Sequence, residues 1–172
     1  MNSKKIRRLV MTALFTAIVC VATMVIRIPS PVNGYVNMGD CFVLLSGWLL
    51  GPAWGFFAGG VGAMLADILS GYAQFAPATL IIKGLMALVA SLLFTALTKA
   101  APERLKPARL LSGAVAECIM VSGYFGYAAL LLGNGLGAAA GIPGDMIQGG
   151  VGLLCGFLLA SVLPLTRKEI FQ

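Results

Sequence analysis

The chain has 172 residues, 59% of them hydrophobic and only 10% charged, with a mean hydropathy of +0.96. Soluble domains carry about 25% charged residues, so the composition is that of an integral membrane protein. The net charge of +6 sits at the ends of apolar runs and forms no basic patch among aromatics, which excludes a nucleic-acid binder; the lack of any histidine excludes zinc-protease and Ser-His chemistry.

The N-terminal MNSKKIRR precedes a run of about 18 apolar residues, too long for a signal-peptide core, so it reads as a retained first transmembrane helix over Leu9–Ile26. The connection from Ile28 to Met38 is rich in Pro, Asn, Gly and Tyr and is expected to be an irregular loop. A short second helix follows over Gly39–Leu50, then a Gly51-Pro52 turn and a third helix over Ala53–Ser70. The loop Gly71–Ala76 leads to a fourth helix over Pro77–Thr98, with Pro77 in the favoured first position. The hydrophilic stretch Lys99–Arg109 separates it from a fifth helix over Leu110–Leu132. The loop Gly133–Pro143 is too glycine-rich for a stable helix, and a sixth helix covers Gly144–Leu165. The expected fold is an all-α six-transmembrane-helix bundle in one membrane domain, residues 1–172.

Ten of the twelve Lys and Arg lie before the first helix, around the loop after the fourth, or after the sixth, where Arg167 and Lys168 stand. The positive-inside rule therefore puts both termini in the cytoplasm. The loops after the first, third and fifth helices then face outward, and they hold most of the Asn, Tyr, Gln and Gly.

Two charges flank the loop after the third helix: Asp67 near the end of the third helix and Lys83 within the fourth. A charge in hydrocarbon costs about 2.5–3.5 kcal/mol on insertion scales. The plain reading is a structural ion pair between Asp67 and Lys83, with Lys83 also able to meet a ligand. Asp40 and Asp145 each open a helix after a glycine, where the helix dipole favours an acid. The polar residues gathered at the outer half, as candidate substrate-binding residues, are Asn37, Tyr72, Gln74, Lys83, Glu117, Tyr124, Asn134, Asp145 and Gln148. Aromatics at the same end, including Tyr35 and Phe75, suit either stacking on a flat ring or an interfacial belt.

Small residues recur at four-residue spacing: Gly55, Gly59, Ala63, Asp67 and Gly71 in the third helix, and Gln148, Gly152, Gly156 and Ala160 in the sixth. Such ladders let helix backbones approach closely within a bundle. The pair Ala13 and Ala17 on the first helix forms a similar face that another chain's helix can occupy. The four cysteines are scattered and read as small packing residues. There is no GxxxxGK[ST] motif, so no nucleotide-hydrolysing site, no catalytic residue, no metal and no cofactor is expected.

Gly39-Asp40, Leu50-Gly51-Pro52, Gly55, Gly59, the LADILSGY of residues 65–72 and the PATLIIKG of residues 77–84 together resemble the substrate-binding S components of energy-coupling factor (ECF) vitamin transporters. The likeness is best to the riboflavin-type group with pyridoxine-like and hydroxymethylpyrimidine-like members, and it covers about residues 9–98. The resemblance implies a six-helix, multi-pass protein of the cell membrane with an outward ligand pocket. It implies a small-molecule vitamin as cargo, a transmembrane coupling subunit and two ATPase subunits as partners, and Ala13 and Ala17 as the docking surface for the coupling subunit. A solitary small transporter or channel, or a structural scaffold protein, are the competing readings.

Overall fold

A computed structural model describes residues 3–29 and 35–162; side chains are described from residue 5 onward. The expected C-terminal end of the sixth helix, the basic tail with Arg167 and Lys168, and the middle of the first loop lie outside the described residues. Within them the chain forms α1 (Ser3–Val25), β1 (Arg27–Pro29), β2 (Tyr35–Asn37), α2 (Asp40–Leu50), α3 (Pro52–Leu69), α4 (Ala76–Ala100), α5 (Leu105–Gly126) and α6 (Ile142–Val162). A π-helical turn, Tyr127–Leu131, extends α5, and a 3₁₀ segment, Gly135–Gly141, leads into α6.

All six expected helices are present, and two of them start four or more residues before the apolar pattern suggested. α1 begins at Ser3 and α5 at Leu105, inside stretches rich in Lys and Arg. Lys and Arg are good helix formers, so the helices run on past the apolar boundary. The first loop, expected to be irregular, carries a short antiparallel hairpin pairing Arg27 with Asn37 and Pro29 with Tyr35. The glycine-rich loop before α6, expected to be non-helical, is mostly taken up by the 3₁₀ segment Gly135–Gly141, and α6 starts at Ile142. Its small Ala and Gly side chains tolerate the tight winding over seven residues, longer than most 3₁₀ runs.

Five of the helices are long and apolar enough to cross a membrane. α2 is not: its 11 residues span roughly 16 Å, about half of a hydrocarbon core. Every residue of α2 except Phe42 is buried. It is the central post of the bundle, with Val43, Leu44, Leu45, Trp48, Leu49 and Leu50 in the core and α1, α3, α4 and α6 packed around it. Trp48 ties it to α5 through a 3.1 Å hydrogen bond from Nε1 to Ser112 Oγ. Gly51, at φ +91°, turns the chain from α2 into α3 in one residue, a conformation that disfavours any side chain.

The small-residue ladders pack the bundle from within. A Cβ at Gly55 would lie 2.8 Å from Gly47 Cα, so α2 and α3 touch backbone to backbone. A Cβ at Gly152 would lie 2.6 Å from Asp40 Cβ, so α6 is seated on the start of α2 in the same way. Between α1 and α3 the close approach is at Gly62, where a Cβ would lie 2.6 Å from the Thr16 carbonyl oxygen and 2.8 Å from Val19 Cβ. Ala13 and Ala17 are on the other face of α1 and are exposed. With Thr16, Cys20, Val21 and Leu65 they line a shallow surface hollow.

Gly62→Leu is expected to force α1 away from α3 at a cost of about 2–3 kcal/mol. Thermal unfolding in detergent checks this: the midpoint falls for Gly62→Leu and stays unchanged for Ala13→Leu, which meets no neighbour in the bundle. Equal midpoints for the two variants would contradict the packing of α1 through Gly62.

Candidate functional site

The hairpin, the turn between α3 and α4, and the 3₁₀ segment meet at one end of the bundle. There, Asn37 ends β2 and its Oδ1 accepts the Gly39 N–H at 2.8 Å, a local bond that leads the chain into α2. The Asn37 backbone N–H donates to Gln148 Oε1 at 2.8 Å, and its Nδ2 does so at 3.3 Å. Gln148 Nε2 in turn donates to Asp40 Oδ2 at 2.7 Å. The other oxygen of Asp40 pairs with Lys83 Nζ. Four elements are therefore joined by one buried polar chain running from Asn37 through Gln148 and Asp40 to Lys83. Asp40 is 0% and Lys83 2% exposed, which makes the pair a core feature.

Lys83 thus pairs with Asp40, not with Asp67 as the sequence suggested. The reason is depth along the helices. Lys83 is seven residues into α4, roughly 10 Å from its start, whereas Asp67 is two residues from the end of α3, roughly 3 Å from the loop. Asp40 opens the buried α2 and lies within reach of the Lys83 side chain. Asp67 instead accepts a 2.6 Å hydrogen bond from the Tyr35 hydroxyl at Oδ1. Burial, with the Asp67 carboxylate beside it, pushes the Tyr35 phenol well above its ordinary pKa.

Above this chain lies a small, partly open cavity with a volume of about 50 Å³. Its walls are aromatic on several sides, from Tyr35, Phe75, Tyr124 and Phe125, and its polar lining comes from Asn37, Asp67, Thr79, Asp145 and Gln148. The Tyr124 hydroxyl shares a 3.0 Å hydrogen bond with Thr79 Oγ1, and its ring stands 5.4 Å from Lys83 Nζ, a cation–π contact that holds it upright. Phe75 leans on Tyr127 with ring centroids 5.7 Å apart, and the Tyr127 hydroxyl donates to the Gln74 carbonyl, so the π-helical turn braces the α3–α4 turn. Asp67 Oδ2 is buried and has no hydrogen-bond partner among the described residues.

Of the residues singled out in the sequence, Asn37, Tyr124, Asp145 and Gln148 line this cavity together. Lys83 is directly beneath it, committed to Asp40. Glu117 is buried at 7% exposure, with neither carboxylate oxygen hydrogen-bonded among the described residues. It faces a separate groove between α5 and α6, lined by Cys118, Val121, Met146 and Gly149 among others. Tyr72 stacks behind Tyr35, with centroids 4.7 Å apart, and is not a lining residue. The Gln74 and Asn134 side chains are exposed outside the cavity. Thr79 and Phe125 line it without having been singled out. Thr79 is one helical turn before Lys83, and Phe125 follows Tyr124, which is the signal that would have found them.

A family model for the S component of ECF-type riboflavin transporters matches residues 3–164. The chain belongs to that family. Membership makes this S component a multi-pass membrane protein and a substrate-binding part of a vitamin transporter. An uncharacterized protein of the gap 3′ region of Pyrococcus woesei is 39% identical over 147 residues, covering 84% of this chain and 93% of the relative. The thiamine precursor transporter HmpT of Lactococcus lactis subsp. cremoris is 28% identical over 171 residues, covering 98% and 92%. A solved structure titled as the S component of a bacterial ECF transporter superposes with a TM-score of 0.68 at 22% identity, covering 93% of this chain and 96% of that one. That likeness confirms the fold of the six-helix bundle.

Removing one partner of the buried pair leaves a charge with no counterpart, so Lys83→Met is expected to destabilise the protein by about 3–5 kcal/mol. Adding Asp40→Leu to Lys83→Met removes the orphaned carboxylate and recovers most of the loss; adding Asp67→Asn instead recovers none. Detergent-phase thermal unfolding of the three variants reads this directly, and recovery by Asp67→Asn would restore the sequence-based pairing.

Proposed function

We propose that this S component captures a small water-soluble vitamin or vitamin precursor in the cavity between the hairpin and α3–α6. The observation that carries the reading is the cavity itself. Its polar groups are fixed by a buried network, its walls are aromatic, and one buried carboxylate oxygen there lacks a partner. Sites of this kind bind flat polar molecules: aromatic faces stack on the ring and a few fixed polar groups set its orientation.

The small cavity volume suits a one-ring ligand better than a three-ring flavin. A pyridoxine-like or hydroxymethylpyrimidine-like molecule is therefore the first choice, with riboflavin or thiamine next, and the relation to a thiamine precursor transporter supports that order. The distribution of Lys and Arg supports cytoplasmic termini and a cavity at the outer surface. Delivery inward then needs a transmembrane coupling subunit and two ATPase subunits, because this chain carries no phosphate-binding loop motif. The exposed face of α1 at Ala13 and Ala17, which no helix of the bundle covers, is the docking surface for the coupling subunit.

Calorimetry on the purified protein against pyridoxine, hydroxymethylpyrimidine, thiamine and riboflavin tests the capture step. At least one is expected to bind with Kd below about 1 μM, equivalent to about −8.2 kcal/mol; weaker binding by all four overturns the reading. For docking, Ala17→Trp is expected to abolish uptake by cells that also express the coupling module while leaving the calorimetric Kd within twofold. Loss of binding in Ala17→Trp would instead make this face part of the bundle's own packing.

A further inference from the structure

The charge that remains uncommitted at the cavity is all carboxylate. Its one neighbouring base, Lys83, is buried, salt-bridged to Asp40 and capped by the Tyr124 ring. Asp40 is fully engaged as well, by Lys83 on one oxygen and Gln148 on the other. Asp67 and Asp145 line the cavity, while Glu117 faces the separate groove between α5 and α6. Among the described residues the other base near this end is Arg27, exposed on β1 and not part of the cavity wall.

Asp67 is the decisive group. It lines the cavity and is 4% exposed; its Oδ1 is taken by the Tyr35 hydroxyl, and its buried Oδ2 makes no hydrogen bond among the described residues, with the Thr79 hydroxyl a further donor acting on the carboxylate. A buried carboxylate oxygen left unpaired is costly, and only a donor can satisfy it. An acceptor or an anion placed there adds repulsion to the unmet desolvation cost.

Building on the capture reading above, we propose that Asp67 Oδ2 is the specificity-determining acceptor of the cavity. It selects a flat nitrogen heterocycle that offers an exocyclic amino group and refuses forms carrying phosphate or carboxylate. Tyr35 and Tyr72 hold Asp67 in place from outside, and Phe75 and Tyr124 supply the faces on which such a ring stacks. Asp145, across the cavity on α6, adds to the negative potential that repels anions. The site thereby separates a free vitamin precursor from its phosphorylated product, so the kinase reaction that consumes this cargo belongs after uptake.

The test is calorimetry with three matched probes: a hydroxymethyl-aminopyrimidine, the corresponding pyrimidinone in which an oxo group replaces the amino group, and the phosphate ester of the first. The amino probe is expected to bind at least tenfold more tightly than the oxo probe and at least 100-fold more tightly than the ester. Asp67→Asn keeps an oxygen for Tyr35 and presents an amide donor at the former acceptor position. It is expected to weaken the amino probe at least tenfold and to strengthen the oxo probe, an inversion that a purely structural role for Asp67 would not produce. Binding of the oxo probe or the ester within threefold of the amino probe by the wild-type protein overturns the proposal and leaves vitamin capture standing, and this arm needs no variant to fold. Equal loss of both neutral probes in folded Asp67→Asn also overturns it. If the wild-type protein binds none of the three, nor pyridoxine, thiamine or riboflavin, the capture reading fails and this inference fails with it.

Discussion

The buried bond between Lys83 and Asp40 is the constraint on which this architecture depends. Neither charge can sit in a dry core alone, and the energy of the pair in low dielectric repays its desolvation only if the remaining lone pairs are also met. Gln148 meets one of them, and Asn37 fixes Gln148. The position of α4 relative to α2 therefore sets the position of α6 and of the hairpin. A shift of any of these elements by a helical turn would strand a charge. This is a specificity device as much as a source of stability: one registration of four elements satisfies every member of the network.

Glycine makes that registration possible. The polar chain needs α6 to approach α2 at Asp40, and Gly152 and Gly156 allow it by giving up their side chains. It needs α2 to sit deep between α3 and α4, and Gly47 and Gly55 allow their backbones to touch. In a lipid environment the hydrophobic effect does not hold helices together, so close packing and buried polar bonds carry that role. Here the two are spatially continuous. The glycine ladder of α6 begins beside Gln148 and Glu117, and the ladder of α3 ends at Asp67.

Much of the bundle was legible in the sequence because apolar length, turn residues and charge placement are local signals. The six helices, the packing role of the ladders on α3 and α6, and the gathering of Asn37, Tyr124, Asp145 and Gln148 all follow from such signals. The partner of Lys83 was not legible by adjacency, because two charges on either side of a loop suggest each other whatever their depth. Counting residues from each helix end would have separated them. Tyr72, Gln74 and Asn134 were drawn in by polarity alone, which cannot tell a cavity wall from the outer surface of a loop. The hairpin was hidden because Pro, Gly and Asn mark turns but say nothing about the three-residue strands between them.

The same geometry explains how one helix serves two surfaces. α3 carries Asp67 at the cavity and, about one and a half turns earlier, Gly62 against the backbone of α1. α1 turns its opposite face, with Ala13 and Ala17, away from the bundle. α3 is one continuous helix from Pro52 to Leu69, and its close packing carries a displacement at one point to its neighbours. Under the capture reading, a ligand that draws Asp67 toward the cavity and a partner that presses on α1 therefore act on the same rigid body. Neither surface requires the polar network around Lys83 to break. α3 is also seated backbone to backbone on α2 at Gly55 and on α4 at Gly60, so the cavity end and the α1 contact are joined through the same closely packed helices that hold the Lys83 network in register.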